Sequence, residues 1–311
     1  MSNMIEEKQL ISHAVAVEDI DTIVQTISTR VEHSKFKFYT TKKRQLDLLQ
    51  QMSKFNFGRF LLQNKGVNGY WTHYVLTYPW FGKRTGLSDQ GSPLSSLEKF
   101  ILDIPMRATQ ERFQVFLKEN QTQVKNNAKL ACIPCGMMGE LLYLDFNGID
   151  NIELIGIDYD ANTFSDAQRL VVQKGLSNFT TLKQCNAWEL NIHNEYDLIS
   201  SNGLNIYESD NTKVTALYKQ FYDALKPSGK LVTSFLTYPP FAGGKCEWNI
   251  FKLKLKDLFL QKILFFDILQ VKWQCYRTTT QMKAMLESIG FRNISFIYDE
   301  MRMFPTVVAY K

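Results

Sequence analysis

The sequence predicts an α/β fold, a mostly parallel sheet covered by helices and preceded by a helical segment. Three observations predict it. From residue 127 onward, short apolar runs alternate with amphipathic stretches of helical period, which is the pattern of βαβ units and of a sheet buried on both faces. The amphipathic stretches carry stop signals, Gly175 after 161–175 and Pro227 with Gly229 after 210–227. Residues 1–126, by contrast, read as helices around an aromatic-rich segment.

The elements follow in order. Residues 17–31 place Ile20, Ile23, Val24, Ile27 and Val31 at helical spacing. A second helix is expected from Thr40–Thr41, carrying Leu46, Leu48, Leu49 and Met52. Residues 55–80 look turn-rich and 82–95 look like an exposed loop; helices are expected again over 96–102 and 108–120. Strands are then expected at 130–134, 152–158, 179–185, 196–200 and 229–236, with helices at 139–146, 161–175 and 210–227. An insertion spans 239–277, a helix 279–291, and the chain closes on two tightly joined strands. The organisation expected is a helical cap over 1–126 and an α/β domain over 127–311.

Composition narrows the function. The chain has 311 residues, 45% hydrophobic and 22% charged, so one or two globular domains with a sizeable core are expected. A formal charge of +5 is small for this length and gives little support for a nucleic-acid groove. DNA is not expected as a partner, whereas an RNA or protein substrate and a homodimer stay open. The start, MSNMIEEKQL, lacks the apolar core of a secretory signal, and no run approaches the roughly 18 apolar residues of a membrane span. Five cysteines, an odd number, fit free thiols in a reducing cytoplasm.

The stretch KLACIPCGMMGEL (129–141) offers two readings. Cys132 and Cys135 form a Cys-x-x-Cys pair, but no second pair completes a zinc site, and redox pairs usually start at a helix N-terminus. No metal is expected. Pro134, Gly136 and Gly139 match the dinucleotide-binding turn with its first glycine replaced by proline, between a strand and a helix. Asp158 ends the next strand, 22 residues after Gly136, where a carboxylate can reach ribose hydroxyls. Proline has no N–H to give a pyrophosphate and fixes its φ. A ligand with ribose and adenine but no phosphate loses less by that change, and S-adenosylmethionine is such a ligand.

These residues resemble the class I S-adenosylmethionine-dependent methyltransferases over about 127–311. IPCGMMGELL resembles their glycine-rich motif, IELIGIDYD the second strand with its ribose-binding acid, and LKQCNAWEL the adenine-contacting segment. YDLISSNGLNIYESD resembles the segment facing the methyl group, LKPSGKLVTSFL the fifth strand, and NISFIYDE with MFPTVVAYK the final antiparallel pair. The resemblance implies a Rossmann-like, seven-stranded, mostly parallel sheet with an antiparallel last strand. The helical cap and a helical lid inserted after the fifth strand would complete it. It also implies S-adenosylmethionine as cofactor. Gly136 and Gly139 would line its methionine end, Asp158 would bind the ribose, Asn186, Ala187 and Trp188 would contact the adenine, and Asn202, Gly203 and Leu204 would flank the sulfonium and the substrate; Pro134, Cys135 and Tyr159 would be further cofactor contacts. Two departures stand out: Cys132 replaces the acid usual at the start of the first motif, and Asn186 replaces the acid at the adenine.

Methyl transfer from a sulfonium is an in-line displacement, so alignment and desolvation can supply on the order of 7–11 kcal/mol, and a base is needed only where the acceptor must lose a proton. The candidates for such roles are His73, Asn205 and Tyr207. Tyr70, Trp71, Tyr74 and Tyr238 are the candidate substrate contacts, with Arg277 at the end of the insertion. The aromatic run YWTHY could equally be packing between cap and sheet. FKLKLK (251–256) reads as an exposed edge or a helix start, and 258–269 as a lid packed on the cap or a dimer contact. The function expected is methyl transfer to a small or medium organic acceptor. Its rivals are a non-catalytic protein binding the same cofactor and an NAD-dependent oxidoreductase.

Overall fold

A computed structural model describes residues 18–240, 242–252 and 254–311. Val17 of the first expected helix, the MSNMIEEKQL segment and Leu253 of FKLKLK lie outside these residues.

Seven strands form one sheet: β1 (Ala128–Cys132), β2 (Ile152–Asp158), β3 (Thr180–Gln184), β4 (Tyr196–Ser201), β5 (Leu225–Ser234), β6 (Arg292–Ile297) and β7 (Thr306–Tyr310). Their order is β3-β2-β1-β4-β5-β7-β6, and β7 runs antiparallel to both its neighbours. β1 pairs in parallel with β2 on one side and β4 on the other. The chain therefore reverses its direction of winding between β1 and β4, and the crevice beyond their carboxyl ends is where such sheets bind ligands. Apolar residues of β1, β2 and β4 are buried on both faces, Leu130, Cys132, Leu154 and Leu198 in one layer and Ala131, Ile155 and Ile199 in the other.

Among the described residues, seven helices precede the sheet: α1 (Ile20–Glu32), α2 (Lys42–Met52), α3 (Asn56–Asn64), α4 (Gly69–Thr77), α5 (Gly82–Thr85), α6 (Ser96–Asp103) and α7 (Arg107–Gln121). The segment expected to be turn-rich is thus mostly helical. Asn68 is the N-cap of α4, its side chain accepting from Trp71 N at 2.8 Å. Ring packing holds both helices: Trp71 stacks on Phe57 of α3, with centroids 5.2 Å apart.

The helix expected over 139–146 is only α8 (Gly139–Leu142). Beyond it Tyr143 leaves the helical path to pack with His73, Trp80 and Phe113. The others are α9 (Phe164–Gln173), α10 (Asn211–Ala224), α11 (Leu255–Gln261) and α12 (Thr279–Ile289). The helix α10 stops three residues short of Pro227, which disfavours helical geometry at the residue before it. α11 continues as a π-helix over Lys262–Leu269. Its apolar residues Ile263, Leu264, Phe265, Ile268 and Leu269 share one buried cluster with Leu49, Phe57, Leu61 and Trp71 of the N-terminal helices. Lys37, from the loop after α1, pairs with Asp267 at 2.9 Å on the same contact.

Candidate active site

The glycine turn begins where β1 ends. Strand-like bonds carry the chain past Cys132: Ile133 N donates to Ser200 O at 2.9 Å and Cys135 N to Ile157 O at 2.8 Å. The Ile133–Pro134 bond between them is cis. Gly136 follows with φ +46°, a left-handed value that favours glycine. A Cβ on Gly136 would meet the Cα of Gly69 at 3.2 Å. What passes close to Gly136 is therefore the first turn of α4, so the two glycines let the cap dock on the turn.

Asp158 stands at the end of β2. Its Oδ2 accepts from Gly136 N at 2.9 Å and its Oδ1 from Asp160 N at 3.1 Å. Each oxygen keeps a second lone pair for a vicinal diol. Burial pushes the carboxyl above its ordinary value, while the backbone amides favour the charged form. Beside it, β3 runs into the loop of Asn186, Ala187 and Trp188, with Cys185 N on Asp158 O at 2.9 Å. Asn186 Oδ1 accepts from Trp188 N at 3.1 Å, and the Trp188 indole donates to Lys213 O at 2.8 Å. Ala187 is buried and Tyr159 exposed.

Two residues that sequence reasoning passed over complete the crevice. Glu140, in the first turn of α8, is buried. Its carboxylate accepts from Asn202 Nδ2 at 2.8 Å and from the Cys132 thiol at 3.1 Å. Burial, reinforced by Glu140, pushes the Cys132 thiol well above its usual value, so it stays a donor. Cys132 takes the sequence position of the family's usual acid, and Glu140 brings a carboxylate to its sulfur. The second residue is Arg112 on α7, buried, with Nη1 donating to Ser234 Oγ at 3.1 Å. Glu140 could have been found as the acid directly after the turn; a single arginine within an amphipathic helix gives no comparable signal.

A largely apolar cavity of about 260 Å³ opens beyond Asn202 and Gly203. Its walls come from α4, α7, the ends of β4 and β5, the insertion and the loop before β7. Tyr207 lines it, and burial pushes that phenol well above its usual range, so it is a hydroxyl donor. The other candidates lie elsewhere. His73 Nε2 is 2.8 Å from Tyr143 OH, and burial, then the charge of Lys174, pulls its imidazole down to about 4. Asn205 is buried, donating to Tyr218 OH at 2.7 Å and Ser234 O at 2.6 Å. Tyr74 donates to Glu98 at 2.9 Å, Tyr70 to Asp89, and Trp71 packs in the cap. On α4 it is Thr72 and Val75 that face the cavity. Tyr238 packs on Tyr276 while Pro239 and Pro240 line the wall. Arg277 staples backbone, donating to Asn205 O at 3.0 Å and Glu208 O at 2.6 Å.

No protein-family model and no curated protein sequence matches the chain. Solved structures do. A possible exported protein from Bordetella parapertussis is 36% identical, with a TM-score of 0.86 over 94% of this chain and 95% of its own. The apo form of the S-adenosylmethionine-dependent methyltransferase SibL is 13% identical, with a TM-score of 0.51 over 85% of this chain and 75% of its own. The magnesium protoporphyrin IX methyltransferase of Synechocystis PCC 6803, with bound S-adenosylhomocysteine, is also 13% identical, with a TM-score of 0.50 over 78% and 98%. At that identity the last two speak for the fold alone. The chain belongs to one family with the Bordetella parapertussis protein, and its fold is the Rossmann-like α/β fold of the class I S-adenosylmethionine-dependent methyltransferases.

Proposed function

We propose that the chain is an S-adenosylmethionine-dependent methyltransferase acting on a small or medium organic acceptor. One observation carries the reading. Asn202 at the end of β4 both lines the apolar cavity and bonds Glu140 beside the glycine turn, so cofactor site and acceptor site meet at one residue.

The residues fit that cofactor. Asp158 offers acceptors for the ribose hydroxyls, and Asn186 keeps a carbonyl lone pair and an amide N–H₂ for the adenine edge. Glu140 offers a buried carboxylate to the amino group of the methionine end, the role left open by Cys132. When bound, the cofactor supplies an electrophilic methyl group on a sulfonium. The chain's own contribution is binding and alignment: the cavity walls exclude water, and Tyr207 donates a hydrogen bond that orients the acceptor.

No helix among the described residues is long and apolar enough to cross a membrane. All five cysteines are free thiols, which supports a reducing compartment, the cytoplasm. Titrating the purified chain with S-adenosylmethionine, S-adenosylhomocysteine and NAD(H) tests the reading. Saturable binding of the first two is expected; tight NAD(H) binding with no response to the others would replace it with the oxidoreductase.

A further inference from the structure

Arg112 is the one arginine on the cavity wall among the described residues. It is 6% exposed. A guanidinium carries five N–H donors, and among the described residues Arg112 makes a single hydrogen bond, to Ser234 Oγ. Its buried Nε has no partner among them. One face of the group is covered by Phe304, whose ring centroid lies 4.4 Å from Cζ. An arginine stacked in this way presents its edge, the geometry that receives a carboxylate through two parallel bonds.

The charges around it are otherwise engaged. Glu140 and Asp299 are the acids that act on Arg112, yet neither forms an ion pair with it within 4 Å. Glu140 holds Asn202 and Cys132. Asp299 accepts from the backbone N–H groups of Met301, Met303 and Phe304 at 3.0, 3.1 and 2.7 Å. Tyr207 adds a hydroxyl nearby but no charge. Of the remaining wall, Val75, Leu236, Phe265, Trp273 and Tyr276 are apolar or aromatic. The volume lies just below the roughly 300–1,000 Å³ of common small-molecule pockets.

We propose that the cavity takes an acceptor with a planar, apolar body and a single carboxylate, and that the guanidinium of Arg112 receives that carboxylate. The inference rests on the methyl-transfer reading for the word acceptor, but the recognition itself is a property of the cavity. Lys262 also lines the cavity, but its ammonium sits over the ring of Tyr39, 4.9 Å from the centroid, so Arg112 is left to match one negative charge. A phosphate would call for more donors. The same chemistry could come from the carboxylate of the cofactor's methionine end, and the test separates the two sources.

The full chain, alone and saturated with S-adenosylhomocysteine, is titrated calorimetrically with benzoate, 3-phenylpropionate and indole-3-acetate and with the matching amides. At least one acid is expected to bind at least tenfold more tightly than its amide. Arg112→Met should abolish the preference, and Arg112→Lys should keep part of it; thermal melts establish that each variant is folded. S-adenosylhomocysteine affinity should change less than twofold in both. A preference for acids retained in folded Arg112→Met would overturn the proposal, and so would any of three further results. The first is no acid binding at millimolar concentration, and the second is amides equal to acids. The third is a tenfold loss of S-adenosylhomocysteine in Arg112→Met with 5′-methylthioadenosine, which lacks the amino-acid end, unaffected; that would assign Arg112 to the cofactor. If the wild type binds acids selectively but not S-adenosylhomocysteine, the cofactor reading fails while the recognition by Arg112 stands.

Discussion

Replacing Glu140 by glutamine removes one negative charge from the crevice and little else. Glutamine keeps the shape of the side chain, and its carbonyl oxygen can still accept from Asn202, now at 2.8 Å from Oε1. The Cys132 thiol, at 3.1 Å from Oε2, meets an amide in place of a carboxylate. A cofactor ammonium at about 4 Å would feel roughly 4 kcal/mol of attraction from Glu140 at an effective dielectric near 20. Part of that offsets desolvation, and net values for hydrogen bonds to charged groups are about 1.5–3 kcal/mol. Glu140→Gln should therefore weaken S-adenosylhomocysteine by roughly 10–150-fold. It should leave 5′-methylthioadenosine nearly unchanged, because that ligand has ribose and adenine but no amino group at its end. Calorimetric titration of both ligands on wild type and variant reads the difference directly. Equal losses for the two ligands would mean that Glu140 acts by shaping the turn, and no loss for either would remove it from the site.

Four further outcomes follow from the geometry. Asp158→Ala should cost about 1–3 kcal/mol of S-adenosylhomocysteine binding through unpaired ribose hydroxyls, and an unchanged dissociation constant in a folded variant would mean that the ribose lies elsewhere. Lys230 on β5 is 1% exposed and donates to the Glu119 carboxylate at 2.8 Å. Glu119→Ala should therefore lower urea-unfolding stability by about 3 kcal/mol, with Lys230→Met in the same chain recovering most of it. Gly156→Ala in β2 would place a Cβ 2.6 Å from Met138 Sδ and 2.7 Å from Leu182 Cδ2, which should cost about 1–3 kcal/mol in thermal unfolding. For His73, held neutral by burial and Lys174 with a folded value of about 4, the unfolded chain takes up the proton first on acidification. Stability should be full above pH 6.5 and fall by about 3 kcal/mol as the pH drops to 4; His73→Phe should flatten that slope.

The sheet was legible because its signals are local and repeated. Five apolar runs at the spacing of βαβ units, with helix stops at Gly175 and Pro227, leave few arrangements open. Asp158 was legible for the same reason, since its place is fixed by the strand that ends on it. The cap was read less well. Residues 55–80 are rich in aromatics and turn formers, and only packing such as Trp71 on Phe57 makes them helical. That packing also explains the aromatic candidates: Trp71 and Tyr74 face the cap, while the less conspicuous Thr72 and Val75 of the same helix reach the cavity. Gly136 shows a limit of another kind. Its spacing marks a close approach, but the sequence does not say that Gly69, 67 residues earlier, makes it. Arg112 and Glu140 come together through α7 and α8, a tertiary contact that no period in the sequence encodes.

A structure determined with S-adenosylhomocysteine bound would show whether cofactor and acceptor sites meet at Asn202. The ribose hydroxyls should lie on the Asp158 carboxylate, the amino group at Glu140, and the sulfur beside Asn202 facing the apolar cavity. A ligand whose ribose lies away from Asp158, or whose sulfur points away from that cavity, would contradict this placement.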